Sequence, residues 1–189
     1  MMTVKTVAVC ALLAFGFAAA QGQTIPRPAP PFSIDLVTGK KIWLTDYKGK
    51  VVVFAGVLTT CPHCQNTTRT LSMIANEYAN KGVQVLAGTL DTEGEVPTKA
   101  FIAQYKPTFP VGVSDNIKIM KFADWSPMTR SYVPYMFFID KKGQIRAQFM
   151  GNDAFYQDEA LNIRKLLNQL IAEGGAPAAK PVAAPKKKT

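Results

Sequence analysis

The sequence predicts an α/β fold with a central mixed β-sheet flanked by helices, and three observations lead to this prediction. Two apolar runs, at 51–57 and 83–90, have the composition of strands that are buried on both faces. A stretch with helical spacing of apolar residues separates them, which gives a β-α-β order and a parallel pair. Two further apolar runs at 135–140 and 144–150 flank a turn and predict a hairpin.

The remaining elements follow from shorter patterns. Alternating runs at 32–37 and 41–44 lie on either side of a Thr-Gly turn and predict an N-terminal β-hairpin. The chain carries an insertion after the second central strand, with a predicted helix at 96–105, a strand at 110–113 and a helix at 117–123. An amphipathic helix at 155–172 closes the domain, and we expect its inward face to consist of Leu161, Leu166, Leu167, Leu170 and Ile171.

The N-terminal 20 residues have the composition of a secretory signal peptide. Lys5 gives a basic start, 7–17 is apolar, and three alanines ending at Ala20 form a cleavage site. Cleavage there predicts a periplasmic or otherwise extracytoplasmic protein with no stable membrane span. A retained membrane anchor is the alternative, although the apolar run is shorter than the ~20 residues of a span. Cys10 leaves with the signal, so the mature chain keeps only Cys61 and Cys64.

Composition divides the rest of the chain into three parts. Residues 21–31 are Pro-rich and predict an extended linker, 32–173 form the folded domain, and 174–189 are a disordered Ala/Pro/Lys tail. The formal net charge of +9 would suit a nucleic-acid-binding protein. Removing Lys5 and the four tail lysines from the 22 basic residues leaves 17 against 13 acids, a net charge of +4 for 21–173. We therefore expect no nucleic-acid partner.

The motif Cys61-Pro62-His63-Cys64 follows the first buried strand and starts a helix. Pro62 suits the first helical position, where its missing N–H is harmless. Unpaired N–H groups and the helix dipole favour a thiolate at Cys61, and Cys64 lies one turn further, within reach of a disulfide. Such a pair exchanges electrons with substrate cysteines through a mixed disulfide. His63 adds a hydrogen bond or positive charge to the thiolate, which makes the disulfide a stronger oxidant.

Other uses of two cysteines are a structural disulfide and a metal site. Zinc takes four ligands, and the mature chain offers Cys61, Cys64 and His63 beside carboxylates, so we predict no metal site and no cofactor. Copper(I) differs from zinc in this respect, because two thiolates suit it. A copper(I)-binding or delivery protein and a non-enzymatic binding module with an inert disulfide therefore stay open as alternatives.

Several segments together resemble a known family. The runs 32–36, 44–53, 109–111 and 133–145, with the Cys-Pro-His-Cys motif, are similar to the extracytoplasmic TlpA/ResA-type proteins, a branch of the AhpC/TSA-redoxin-like group. The resemblance covers roughly residues 30–172. It implies a thioredoxin-like fold and a thiol:disulfide oxidoreductase that acts on cysteine-containing proteins and is reset by a membrane redox partner. It also implies a cis bond at Pro134 against the active disulfide, with the backbone of Val133 facing a substrate.

The same resemblance implies an acidic residue after the second central strand, which assists proton movement at Cys64. Alignment places Glu93 at that position, with Asp91 and Glu95 as close rivals. A solvated acidic loop is the alternative. Residues that could dock a substrate peptide, although some of them could belong to the core, are Trp125, Pro127, Met128, Tyr132 and Tyr135.

Departures from related families bear on the direction of electron flow. Ala55 and Thr60 stand where thioredoxins carry a buried acid and a Trp. The Pro-His pair between the two cysteines, and Val133 before the proline, resemble the oxidant DsbA rather than the reductants of the TlpA/ResA type. We therefore expect the protein to favour oxidation of its substrates. A peroxiredoxin is excluded because Leu58 and Phe54 occupy the places of its required Thr or Ser and its Pro.

Overall fold

The computed structural model describes residues 25–126 and 128–173. Its strands are β1 (Arg27–Pro28), β2 (Ser33–Leu36), β3 (Lys41–Trp43), β4 (Val51–Val57), β5 (Val83–Thr89), β6 (Val111–Val113), β7 (Tyr135–Ile139) and β8 (Gln144–Phe149). Its α-helices are α1 (Pro62–Tyr78), α2 (Glu95–Tyr105), α3 (Asn116–Ala123) and α4 (Glu159–Glu173). Two 3-10 turns lie at Leu44–Tyr47 and Ala154–Asp158.

All of these strands join one mixed sheet in the order β1-β8-β7-β4-β5-β6-β2-β3. Strand β4 is central, pairing in parallel with β5 and antiparallel with β7. Strands β5 and β6 are parallel, while β2 and β3 form the N-terminal hairpin. This arrangement confirms the predicted α/β fold, with its helical insertion after the second central strand.

Hydrophobic cores lie on both faces of the sheet, as the apolar composition of β4 requires. Side chains alternate along a strand, so Val51, Val53, Ala55 and Val57 enter the core that contains α1 and α4. Val52 and Phe54 point to the opposite core, which contains α3 and the N-terminal hairpin. The strand is thereby buried on both sides, which fixes the position of the segment that follows it.

The carboxyl ends of β4 and β5 meet at one edge of the sheet, where Val57 pairs with Thr89. The residues that follow parallel strands share that edge. Cys61 follows β4 and Asp91 follows β5, so the topology brings the cysteine motif and the predicted acidic segment together.

The inward face predicted for the closing helix is wrong at Leu161, which is 65% exposed. Residues 154–158 form a 3-10 turn, so the α-helix starts later, at Glu159. Its buried positions are Ile163, Leu167 and Leu170. Two residues correspond to about 200° around an α-helix, which puts Leu161 on the opposite side from Ile163.

The predicted linker differs from expectation where the structure describes it. Arg27 and Pro28 are extended, as the proline content suggests, but they pair with Ile145 and Gln144 at the sheet edge. The Arg27 guanidinium also donates a hydrogen bond of 2.9 Å to the backbone oxygen of Phe122. The predicted signal peptide at 1–20, residues 21–24 of the predicted linker and the predicted tail at 174–189 lie outside the described residues.

Candidate active site

Cys61 is the N-cap residue of α1, with extended backbone angles, and Pro62 is the first helical residue. The sulfur of Cys61 accepts a hydrogen bond of 3.4 Å from the backbone N–H of Cys64. A sulfur at this place faces the unpaired N–H groups and positive dipole end of the helix, which stabilise a thiolate.

The two cysteines differ in access to solvent. Both are free thiols in the structure, and Cys61 is partly exposed while Cys64 is fully buried. Burial raises the pKa of the Cys64 thiol far above its ordinary value, and the neighbouring Cys61 raises it further. Of these two sulfurs, only that of Cys61 is therefore accessible, either to attack a substrate or to be attacked by one. Cys64 remains protonated.

His63, the residue between Pro62 and Cys64, packs against an aromatic ring from the other end of the chain. Its imidazole lies edge-on to the Tyr156 ring, with 4.8 Å between centroids and 80° between planes. Glu159, at the start of α4, accepts a hydrogen bond of 2.7 Å from the Thr67 hydroxyl. Burial raises the pKa of Glu159, and hydrogen bonds and the nearby His63 oppose that rise.

The Val133–Pro134 peptide bond is cis in the structure. The carbonyl oxygen of Pro134 accepts a hydrogen bond of 2.9 Å from the Tyr156 hydroxyl. Val133 and Cys61 both pack at the margin of the same core. A cavity of about 200 Å³ adjoins this loop, and it is lined by Leu58, Leu90, Asn116, Ser131, Val133 and Tyr135.

The three acidic candidates after β5 have different surroundings. The Asp91 carboxylate accepts hydrogen bonds from the Thr59 hydroxyl at 2.7 Å and the Thr59 backbone N–H at 3.1 Å. Glu93 is exposed, and exposed Glu95 forms an ion pair of 2.8 Å with Lys99. Asp91 is thus the acid that contacts the segment leading into Cys61, whereas the geometry gives no such contact to Glu93.

Comparisons with known proteins bear on this arrangement. A family model described as Redoxin matches residues 22–162. The chain belongs to the redoxin family. Among curated relatives, the thiol-disulfide oxidoreductase ResA of Bacillus cereus is 32% identical over 143 residues, which cover 76% of this chain and 79% of ResA. The thioredoxin-like protein YneN of Bacillus subtilis is 28% identical over 131 residues, covering 66% of this chain and 71% of YneN.

Solved structures agree on the fold. A thiol:disulfide interchange protein of the thioredoxin family from Chlorobium tepidum superposes with a TM-score of 0.64 at 21% identity, covering 79% of this redoxin and 99% of that chain. Family, relatives and fold agree with the TlpA/ResA-type resemblance. This redoxin is a thiol:disulfide oxidoreductase with a thioredoxin-like fold. No helix among residues 25–126 and 128–173 has the length and apolar character needed to span a bilayer.

The donors considered for a metal are Cys61, Cys64 and His63. Within the described parts of the redoxin, no three or more His, Cys, Asp or Glu side chains form a group that could hold a metal ion. Thiolate coordination of copper(I) would have to use the two sulfurs of the motif itself.

The predicted docking residues separate into core and surface. Tyr135 is 1% exposed and Trp125 packs against the same core, so these two are structural. Met128 is 92% exposed and Tyr132 is at the surface, with the Arg130 guanidinium 5.2 Å over its ring. Pro127 lies outside the described residues.

The sequence pattern did not identify three residues of the redoxin site: Gly151, Tyr156 and Glu159. All lie about 90 residues after the cysteines and carry no motif. Gly151 packs on the cis-proline loop so closely that an added Cβ would lie 2.9 Å from the Pro134 nitrogen and nearer still to the Val133 carbonyl. The Gly-Asn-Asp sequence at 151–153 reads as an ordinary turn, so only the three-dimensional packing identifies these positions.

Proposed function

We propose that this redoxin is an extracytoplasmic oxidant of protein thiols, with Cys61 as the sulfur that reacts with substrate and Cys64 as the resolving thiol. The difference in access between the two cysteines carries the proposal: Cys61 is partly exposed at a helix N-terminus, and Cys64 is fully buried. Because a substrate thiolate can reach only an accessible sulfur, this asymmetry makes Cys61 the sulfur that is attacked and Cys64 the sulfur that leaves, or that resolves the mixed disulfide in the reverse direction.

The oxidation proceeds in two balanced steps. A substrate thiolate attacks the sulfur of Cys61 in the Cys61–Cys64 disulfide, forming a mixed disulfide and releasing Cys64 as a thiolate that takes up a proton. A second substrate thiolate then attacks the substrate sulfur of the mixed disulfide and releases Cys61 as a thiolate. The substrate loses two electrons and gains a disulfide, while the redoxin pair is reduced to a thiolate and a thiol.

The surroundings of the two sulfurs support this direction. The N-terminus of α1 stabilises a thiolate at Cys61, whose sulfur accepts a hydrogen bond of 3.4 Å from the backbone N–H of Cys64. His63 belongs to the same helical turn. The raised pKa of Cys64 favours its reprotonation once it is released. Stabilising the reduced form makes the disulfide a stronger oxidant.

The substrate is a protein or peptide with cysteines, docked in an extended conformation along the backbone of Val133 beside cis Pro134. A membrane redox partner reoxidises the Cys61–Cys64 pair after each cycle. Export follows from residues 1–20, whose basic start, apolar run and alanine cleavage site form a signal sequence. Sequencing the N-terminus of the exported protein tests the cleavage, with Gln21 expected as its first residue.

The reduction potential of the Cys61–Cys64 pair, measured by equilibration with glutathione buffers, tests the direction. We expect a value closer to the about −120 mV of DsbA than to the about −270 mV of thioredoxin. A reduction potential near or below about −270 mV would contradict the proposed oxidising direction and indicate that the protein reduces its substrates. A stable copper(I) complex of the reduced protein, with no thiol oxidation, would favour the copper alternative instead.

A further inference from the structure

Tyr156 lies between two parts of the active site that are far apart in sequence. It belongs to the 3-10 turn Ala154–Asp158, between β8 and α4. Its hydroxyl donates to the Pro134 carbonyl oxygen at 2.9 Å, and its ring packs edge-on to the His63 imidazole with 4.8 Å between centroids. One side chain thus touches both the cis-proline loop and the first turn of α1.

We propose that Tyr156 is a positioning residue with two separable roles: its hydroxyl fixes the Pro134 loop for substrate docking, and its ring holds the His63 imidazole at the N-terminus of α1. This inference rests on the proposed function, since it takes Cys61 as the reacting sulfur and the Pro134 loop as the docking site. Burial raises the pKa of Tyr156 far above its ordinary value, so the phenol stays a neutral hydrogen-bond donor throughout.

The hydroxyl role follows from how the loop is held. The Pro134 carbonyl is next to the Val133–Pro134 peptide group, along which an extended substrate would lie. A shift of this carbonyl therefore also moves the peptide group that would contact the substrate. Gly151 fixes the other end of the same loop, because its N–H donates to the Tyr132 carbonyl oxygen at 2.6 Å. Gly151 and Tyr156 both come from the segment that connects β8 to α4. That segment therefore holds the Pro134 loop in place.

The ring role concerns the charges around His63. His63 acts electrostatically on Glu159, at the start of α4, and Glu159, Cys64 and Asp153 act electrostatically on Tyr156. A protonated imidazole near the Cys61 sulfur would stabilise a thiolate there. The edge-on contact with Tyr156 limits the orientations of the imidazole. Without the ring, we expect the imidazole to sample more orientations and the thiolate at Cys61 to be less favoured.

Three variants separate these roles: Tyr156→Phe removes only the hydroxyl, Tyr156→Leu removes hydroxyl and ring, and Tyr78→Phe is the matched control. Tyr78 donates a hydrogen bond of the same 2.9 Å to Asn168, also across to the C-terminal part of the chain, but between α1 and α4 and outside the site. For each variant, KM and kcat are measured for oxidation of a two-cysteine peptide. The pH profile of Cys61 alkylation by iodoacetamide is measured on the reduced protein.

We expect Tyr156→Phe to raise KM by about two- to ten-fold, the effect of one net hydrogen bond, with the alkylation profile unchanged. We expect Tyr156→Leu to raise KM as well and to move the alkylation profile to higher pH, while Tyr78→Phe changes neither. A wild-type KM in Tyr156→Phe would overturn the hydroxyl role. A wild-type profile in Tyr156→Leu would overturn the ring role.

The experiment also separates this inference from the proposed function. Alkylation of Cys61 needs no substrate, so the ring role is tested even if the peptide is not oxidised. A wild-type protein that is no more active than its Cys61→Ser variant would contradict the proposed function and, with it, the hydroxyl role in docking. Wild-type activity that is lost in Cys61→Ser, together with variants of Tyr156 that match Tyr78→Phe in both readouts, would overturn the positioning role alone.

Discussion

The Thr59 hydroxyl donates a hydrogen bond of 2.7 Å to the Asp91 carboxylate, which links the residues following the two parallel strands β4 and β5. The same carboxylate accepts from the Thr59 backbone N–H at 3.1 Å. Gln65 completes the connection by donating from its side chain to the Thr59 carbonyl oxygen at 2.9 Å. The short segment between β4 and Cys61 is therefore anchored on both sides.

Replacing Asp91 with Ala is expected to destabilise the fold by about 1–3 kcal/mol, because two donors of Thr59 lose a charged acceptor. We also expect slower thiol oxidation, since the entry to Cys61 loses its anchor. Urea unfolding and peptide oxidation measure the two effects. Glu93→Gln is the control: Glu93 is exposed, so its variant should stay within about 0.5 kcal/mol of the wild type. A larger kinetic effect of Glu93→Gln would instead support the acid that the alignment selects.

Alkylation of the reduced protein at neutral pH is expected to modify Cys61 alone. Cys61 is partly exposed, whereas Cys64 is buried and its pKa is raised, so Cys64 remains a protonated and inaccessible thiol. Mass spectrometry of peptides after brief exposure to iodoacetamide identifies the modified sulfur. Denaturing the protein first should expose both cysteines to the reagent. Equal labelling of the two sulfurs in the folded protein would contradict the asymmetry on which the mechanism depends.

Replacing Gly151 with Ala is expected to lower kcat/KM and to destabilise the protein by about 1–3 kcal/mol. The new methyl group would meet backbone atoms of Val133 and Pro134, which have no flexible end that could move aside. Gly82→Ala is the matched control, because Gly82 has a φ of +71° and open space around it. That control should also lose stability, through backbone strain, but keep its activity. Equal activity of the two variants would contradict the close packing on the docking loop.

The stability of the Glu159→Gln variant relative to the wild type is expected to depend on pH. Burial raises the pKa of Glu159 in the folded state, so the wild type has its full stability below the unfolded value of about 4.3 and loses some as pH rises through the folded pKa. Gln keeps an acceptor for the Thr67 hydroxyl and does not ionise. Urea unfolding should therefore give a more stable variant at pH 7.5 and matching stabilities near pH 4. A variant that is less stable at pH 7.5 would contradict the sign.

The sequence predicts the framework of this protein well because its strongest signals are local. The β-branched run before Cys61 predicts β4 with the observed bounds, Val51–Val57, and the motif predicts the start of α1. Four of the five residues predicted for the inward face of α4 pack against the core that contains α1, namely Leu166, Leu167, Leu170 and Ile171. Leu161 is exposed because it lies about 200° around the helix from the buried Ile163. The start of α4 could not be predicted, since the hydrophobic pattern does not distinguish the 3-10 turn Ala154–Asp158 from a turn of α-helix.

The supporting residues of the site depend on contacts between distant parts of the chain. Tyr156 meets His63 across 93 positions of sequence and Pro134 across 22, and no local pattern marks these meetings. The choice among Asp91, Glu93 and Glu95 is of the same kind, because it depends on where the backbone turns after β5. In the structure that turn directs Asp91 towards Thr59.

Trapping of the mixed disulfide tests the central claim most directly. Cys64→Ser is incubated in reduced form with a peptide that contains a disulfide, so that Cys61 attacks one peptide sulfur and displaces the other, with no Cys64 to complete the exchange. We predict that a covalent adduct at Cys61 accumulates, that a reductant releases it, and that Cys61→Ser forms none because Cys64 is buried. Failure of Cys64→Ser to form the adduct, or an equal adduct at Cys64 in Cys61→Ser, would contradict the assignment of Cys61 as the reacting sulfur.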